Sequence, residues 1–144
     1  MPRPVEYDNL IKTKALEAIA PTLGAVAGFL RNAADYQAVA EVLDPARHLQ
    51  VFTLAYEGYF QLVQAVLEFY EVRPKDAGRN LAIQRVTASL GASPAEFAFI
   101  TKAHERRNGT SYHSPFPPVS KAEAATMLAI LAKFLPAARA LTGN

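Results

Sequence analysis

Apolar residues recur with a helical period along most of this chain. Leu49, Phe52, Tyr56, Tyr59, Phe60, Val63, Val66, Leu67 and Tyr70 fall on one side of a 3.6-residue repeat. Glu57, Gln61, Gln64, Glu68 and Glu71 fall on the other, which predicts a long amphipathic helix over 46–72. Asp44-Pro45 reads as its N-cap and first helical position. Upstream, "YDNLIKTKALEAIA" predicts a first helix, interrupted by Pro21 and Gly24, and "AGFLRNAADYQAVAEVL" predicts a second. After a turn at "RPKDAG", "RNLAIQRVTASLG" predicts a short helix that Gly91 stops in the left-handed conformation.

Two capping boxes mark the last helices. "SPAE" opens one that runs to about Arg107, and "SKAE" opens the final one, ending near Ala140. Between them "NGTSYHSPFPPV" reads as a loop. Strand signals are poor throughout. The expected architecture is an all-α up-and-down bundle of four or five helices, one domain over 1–144.

Composition narrows the function classes. The chain has 144 residues, 51% hydrophobic and 19% charged, so it can bury a core and is not of disordered type. It has no cysteine, which excludes disulfides and thiolate metal sites. The three histidines lack metal-ligand spacing, and no cofactor fingerprint, Walker loop or nucleophile elbow occurs. A net charge of +2 is far below that of a non-specific nucleic-acid coat. No run of apolar residues reaches the length of a spanning helix, and "AIAPTLGAVAGFL" lacks the basic start of a signal peptide. The expectation is a cytoplasmic protein.

The stretch "HERRNGTSYHSPF" carries the candidate chemistry. Stepping 100° per residue from a core-facing Phe97 keeps Ile100, His104 and Arg107 near the buried face, while Arg106 points to water. A structural explanation exists for each residue. The arginines would answer the helix dipole, Asn108-Gly109 would stop the helix, and His104 would be a satisfied core or interface histidine. A chemical explanation also exists. RNA is cut without metal when a base takes the 2′-hydroxyl proton and an acid protonates the leaving oxygen. Histidine titrates near neutrality and suits proton transfer at His113. Arginine presents a charged fork to phosphate, at Arg107 first and Arg106 second. Asn108 could orient either group, and Lys102 lies one turn earlier as a further phosphate contact. Glu57 could orient Arg107, though its pattern is that of a solvated face. Tyr56 and Tyr59 read as core rather than as base-stacking platforms. Arg73, Lys75, Arg79 and Arg85 could track phosphates or simply solubilise the surface.

"RNGTSYH" resembles the signature of the HEPN superfamily: an Arg, a polar residue, and a His after four to six intervening residues. Five residues separate Arg107 from His113, and six separate Arg106 from it. The resemblance extends over the aromatic-rich "AYEGYFQLVQAVL", "VRPKDAGRNLAIQRV" and the placement of the motif before the last helix. It implies an HEPN-like bundle and a homodimer with the Arg and His motifs facing across the two-fold axis. It also implies metal-independent endoribonuclease activity, often as the toxin of a toxin–antitoxin pair. Some members are controlled by a nucleotidyltransferase antitoxin that adds AMP to a tyrosine two residues past the His; Pro115 stands there in this chain. The alternative is a non-catalytic helical module that docks a protein partner or a nucleotide.

Overall fold

A computed structural model describes residues 3–144. Among these residues there are six helices, α1 (Val5–Lys12), α2 (Ala25–Val42), α3 (His48–Phe69), α4 (Arg79–Ser89), α5 (Pro94–Tyr112) and α6 (Lys121–Thr142). Two short strands, β1 (Leu16–Ala18) and β2 (Val72–Pro74), pair antiparallel with Glu17 opposite Arg73. The mostly helical expectation holds, with more helices than the four or five expected.

α3 is the axis of the molecule. Its apolar repeat is buried as the period requires: Phe52, Ala55, Tyr56, Tyr59, Leu62, Val63, Val66 and Leu67 are all within a few per cent of full burial. α2 and α6 pack along it, and α4 and α5 cover the remaining side. Gly58 lets the three long helices close up, since a Cβ there would stand 2.7 Å from Leu131 Cδ2 and 2.9 Å from Tyr36 Cβ. Two hydroxyl pairs hold α3 and α1 to α4. The Tyr59 hydroxyl meets Thr87 Oγ1 at 2.7 Å, and the Tyr7 hydroxyl meets Ser89 Oγ at 3.0 Å.

Several expected boundaries are corrected. The first helix does not continue to Ala20. It ends at Lys12 because Lys14 turns left-handed (φ +65°), and Ala15 N–H then donates to Leu10 O. The long helix ends at Phe69 rather than 72, with Glu71 left-handed at φ +59°, which frees Val72 to enter β2. Arg73 and Pro74, expected in a turn, are strand residues. Asp44 does not cap α3. Its carboxylate accepts from Ala46 N–H inside a turn, and the helix begins at His48. Glu68, expected in water, is buried and accepts Thr22 N–H at 2.6 Å. Both capping boxes are formed, Ser93 with Glu96 and Ser120 with Glu123, and Gly91 is left-handed at φ +78°.

α6 also departs from expectation. It is long and apolar enough to cross a membrane by length and composition, although eight of its residues, including Met127, Ile130, Leu131 and Phe134, are buried in the fold.

Candidate functional site

The stretch from His104 to Phe116 departs most from expectation. Asn108-Gly109 does not stop α5, which runs on to Tyr112 with His113 as its C-cap. Gly109 costs an exposed helix about 1 kcal/mol. Here the Asn108 side chain is spent on lateral contacts, and Ser114 N–H closes the end by donating to Gly109 O at 2.9 Å. Thus the motif is one continuous helix rather than a helix and a flexible loop.

A continuous helix fixes the facing of every candidate. Arg107 and His113 are six residues apart, about 120° around the axis, whereas Arg106 and His113 are seven apart and nearly aligned. The candidates therefore divide into two sets.

One set faces α3 and α4. Arg107 Nη2 lies 2.7 Å from Glu57 Oε1, with only 18% and 21% of the two side chains exposed. Glu57 is thus an ion-pair partner and not part of a solvated face. Arg107 Nη1 donates to Asn108 Oδ1 at 3.1 Å. That fixes the Asn108 amide, whose Nδ2 is 3.3 Å from His104 Nε2. His104 Nδ1 in turn lies 2.7 Å from the Tyr56 hydroxyl. With Asn108 donating to Nε2, the proton sits on Nδ1 and is donated to Tyr56. Arg79, the first residue of α4, donates to the same hydroxyl from Nη2 at 3.4 Å. The result is an unbroken polar chain from Glu57 through Arg107, Asn108, His104 and Tyr56 to Arg79.

The electrostatics of this chain follow from burial and from its two guanidiniums. His104 is pushed below its ordinary pKa, first by burial and then by Arg79 and Arg107, so the ring is neutral at pH 7. Burial holds the Tyr56 phenol above its ordinary value, so it stays protonated. Two fixed cations and one carboxylate remain, an excess of one positive charge.

The other set faces the loop before α6. Lys102, Arg106 and His113 line a groove of about 650 Å³ with Phe52, Phe99 and Phe116. Arg106 is not in open water. It pairs with Glu123 at 2.7 and 3.1 Å and donates to Pro118 O at 3.0 Å, so it fastens the loop to the first turn of α6. Its guanidinium is engaged by Glu123 and the Pro118 carbonyl. Lys102 and His113 are exposed, and among the described residues no hydrogen bond holds the His113 ring. Within one chain the predicted site is therefore split. Arg107 and Asn108 lie together, Lys102, Arg106 and His113 lie together, and the helix separates them.

No protein-family model matches this sequence, and no curated protein matches it at a significant level.

Tyr56 is core, as expected, and its hydroxyl also joins His104 and Arg79, a link the sequence reading did not make. The spacing of His104, Arg107 and Asn108 at one helical turn was a usable signal for the first set. Nothing local marks Tyr56 or Arg79, which arrive from α3 and α4.

Proposed function

We propose that this chain is a metal-independent endoribonuclease of HEPN type that works as a homodimer. The observation that carries the reading is the bracing of Arg107. Glu57 and Asn108 hold its guanidinium at a half-buried seam beside a neutral histidine, at low conformational cost to ligand binding. A braced, always-charged fork suits the charge that builds on a phosphate during in-line displacement.

In this reading Arg107 binds the scissile phosphate and Asn108 keeps both Arg107 and His104 oriented. The exposed His113 transfers the proton. The 2′-hydroxyl loses its proton and attacks phosphorus, and the 5′-oxygen leaves as it gains one. The products are a 2′,3′-cyclic phosphate and a 5′-hydroxyl. Because Arg107 and His113 lie on different sides of α5, the second copy supplies the His113 that Arg107 meets. Exposed Tyr112 and Phe116 at the same end of α5 offer apolar surface for that contact. A cytoplasmic location and a role as the toxin of a toxin–antitoxin pair belong to the same proposal.

The test is complementation. Arg107→Ala and His113→Ala are each expected to be inactive alone. Mixed and re-equilibrated, they form a heterodimer with one complete site, and cleavage returns. Activity that stays absent in a verified heterodimer rules out the shared site.

One observation favours a second reading, a helical module that binds a nucleotide or a protein partner without cutting. It is the separation of Arg107 from His113 within the chain. In that case Arg107→Ala weakens the ligand, and no RNA product forms with either protein.

A further inference from the structure

Arg79 and Arg85 are two α4 arginines that form no ion pair among the described residues, each with a buried Nε that has no hydrogen-bond partner. Arg79 is half-buried at the start of α4. Its guanidinium carbon sits 3.7 Å over the Phe60 ring and 5.8 Å from the centre of the Tyr56 ring. Its Nε is buried with no hydrogen-bond partner. Arg107 Nε shares that condition, and its guanidinium carbon is also 5.8 Å from the Tyr56 centre, so the two guanidiniums are at most twice that distance apart. A partly desolvated cation with unused donors is costly unless an anion completes it. Stacking on Phe60 supplies part of the compensation and fixes the plane of the fork.

The site is reachable. Arg79 lies on the wall of an open groove of about 560 Å³ that also includes Phe29, Phe60, Gln64 and Arg73. Two of the other charged groups of this wall are engaged. Arg73 pairs with Glu17 across the two strands, and Glu68 accepts Thr22 N–H. Asp76 lines the groove without forming an ion pair with Arg79. The helix above Arg79 adds no competing charge, since the first turn of α4 has no acidic residue.

We infer that Arg79 is a second phosphate-binding residue, which takes an RNA backbone phosphate next to the one held by Arg107. Arg79 forms no ion pair among the described residues, and its stacking on Phe60 leaves a fixed fork that suits a phosphodiester. The Tyr56 hydroxyl, touched by both His104 and Arg79, sets the spacing between the two phosphate sites. This inference rests on the ribonucleic-acid reading of the Arg107 site, and its test separates the two.

The experiment uses the full chain, as the parent and as Arg79→Gln and Arg79→Lys. Its first arm is thermal stability with and without inorganic phosphate. Phosphate is expected to raise the melting temperature of the parent and of Arg79→Lys by more than that of Arg79→Gln, which keeps only the Arg107 site. Equal stabilisation of all three overturns the anion site. The second arm is binding of a 2′-O-methyl oligoribonucleotide, which cannot be cut, over a series of salt concentrations. Arg79→Gln is expected to weaken binding about tenfold and to lower the log–log salt slope by about 0.7, the single-strand value for one phosphate contact. An unchanged slope overturns the contact even if affinity falls, because a merely structural arginine leaves the slope alone. If phosphate passes the first arm but the parent binds no oligonucleotide, the RNA assignment falls. If the oligonucleotide behaves as expected and no cleavage is seen in the parent, the ribonuclease reading fails while Arg79 stands.

Discussion

Replacing Glu57 by Gln removes one charge and almost no volume, so it isolates the bracing of Arg107. At a charge separation near 4 Å and an effective dielectric of about 20, the attraction is roughly 4 kcal/mol. Desolvation returns much of that. Fully exposed pairs contribute about 0.2–1 kcal/mol, and removing one partner of a fully buried pair costs about 3–5 kcal/mol. With 18% and 21% of the side chains exposed, Glu57 and Arg107 fall between these limits. The expected loss is about 2 kcal/mol, a drop in melting temperature of roughly 4–8 °C for a chain of this size. The loss of Glu57 also leaves Arg107 and Arg79 to repel each other across Tyr56. The assay is thermal and urea unfolding of the parent, Glu57→Gln, Arg107→Gln and the double variant. The cycle is expected to give a coupling above about 1 kcal/mol, little reduced by added salt. A Glu57→Gln protein within about 0.5 kcal/mol of the parent, with no coupling, would refute the claim that this pair holds the site.

Other expectations follow from single residues. His104 has its pKa lowered by burial first, then by Arg79 and Arg107. Its share of stability is therefore fully present above the unfolded value near 6.5 and is lost as pH falls below it; urea unfolding from pH 7.5 to 5 should show the decline, and His104→Gln should remove it. Glu96 and Glu123 have their carboxyls held low by Lys133 and Arg106 respectively, so their contribution is lost only in a more acidic window. Gly58→Ala drives a methyl into Leu131 and Tyr36 and should cost about 1–3 kcal/mol by denaturant unfolding. Tyr59→Phe strands the buried Thr87 hydroxyl and should cost about 1–3 kcal/mol in the same assay, without moving phosphate binding.

What could be read from the sequence divides by the range of the interaction involved. The two capping boxes and Gly91 are local signals with one backbone solution each, and all three formed. The apolar repeat of α3 was legible because a wide stripe of Phe, Tyr, Leu and Val faces the core. The ends of α1 and α3 were not, since the left-handed residues that stop them are Lys14 and Glu71 rather than glycine. Their conformation is fixed by the β1–β2 pairing, a contact between segments more than fifty residues apart. Asn108-Gly109 failed in the opposite sense. It is a strong local stop that did not act, with the Asn108 amide committed to Arg107 and His104 on the same helix. The site followed the same rule. Arg107 was placed on the right face by periodicity alone, but Glu57, Tyr56 and Arg79 reach it through packing that no spacing encodes. Arg106 was misplaced because Phe97, assumed to face the core, is only partly buried while Ile100 and Ala103 are the buried residues of α5, and because Glu123 of α6 approaches from the other side.

Cleavage of single-stranded RNA by the purified protein in excess EDTA, beside its His113→Ala variant, tests the central claim most directly. The account predicts that the parent releases fragments ending in 2′,3′-cyclic phosphate, while the variant, equally stable, releases none. RNA left intact by a folded, dimeric parent, or cut equally well by both proteins, would contradict it.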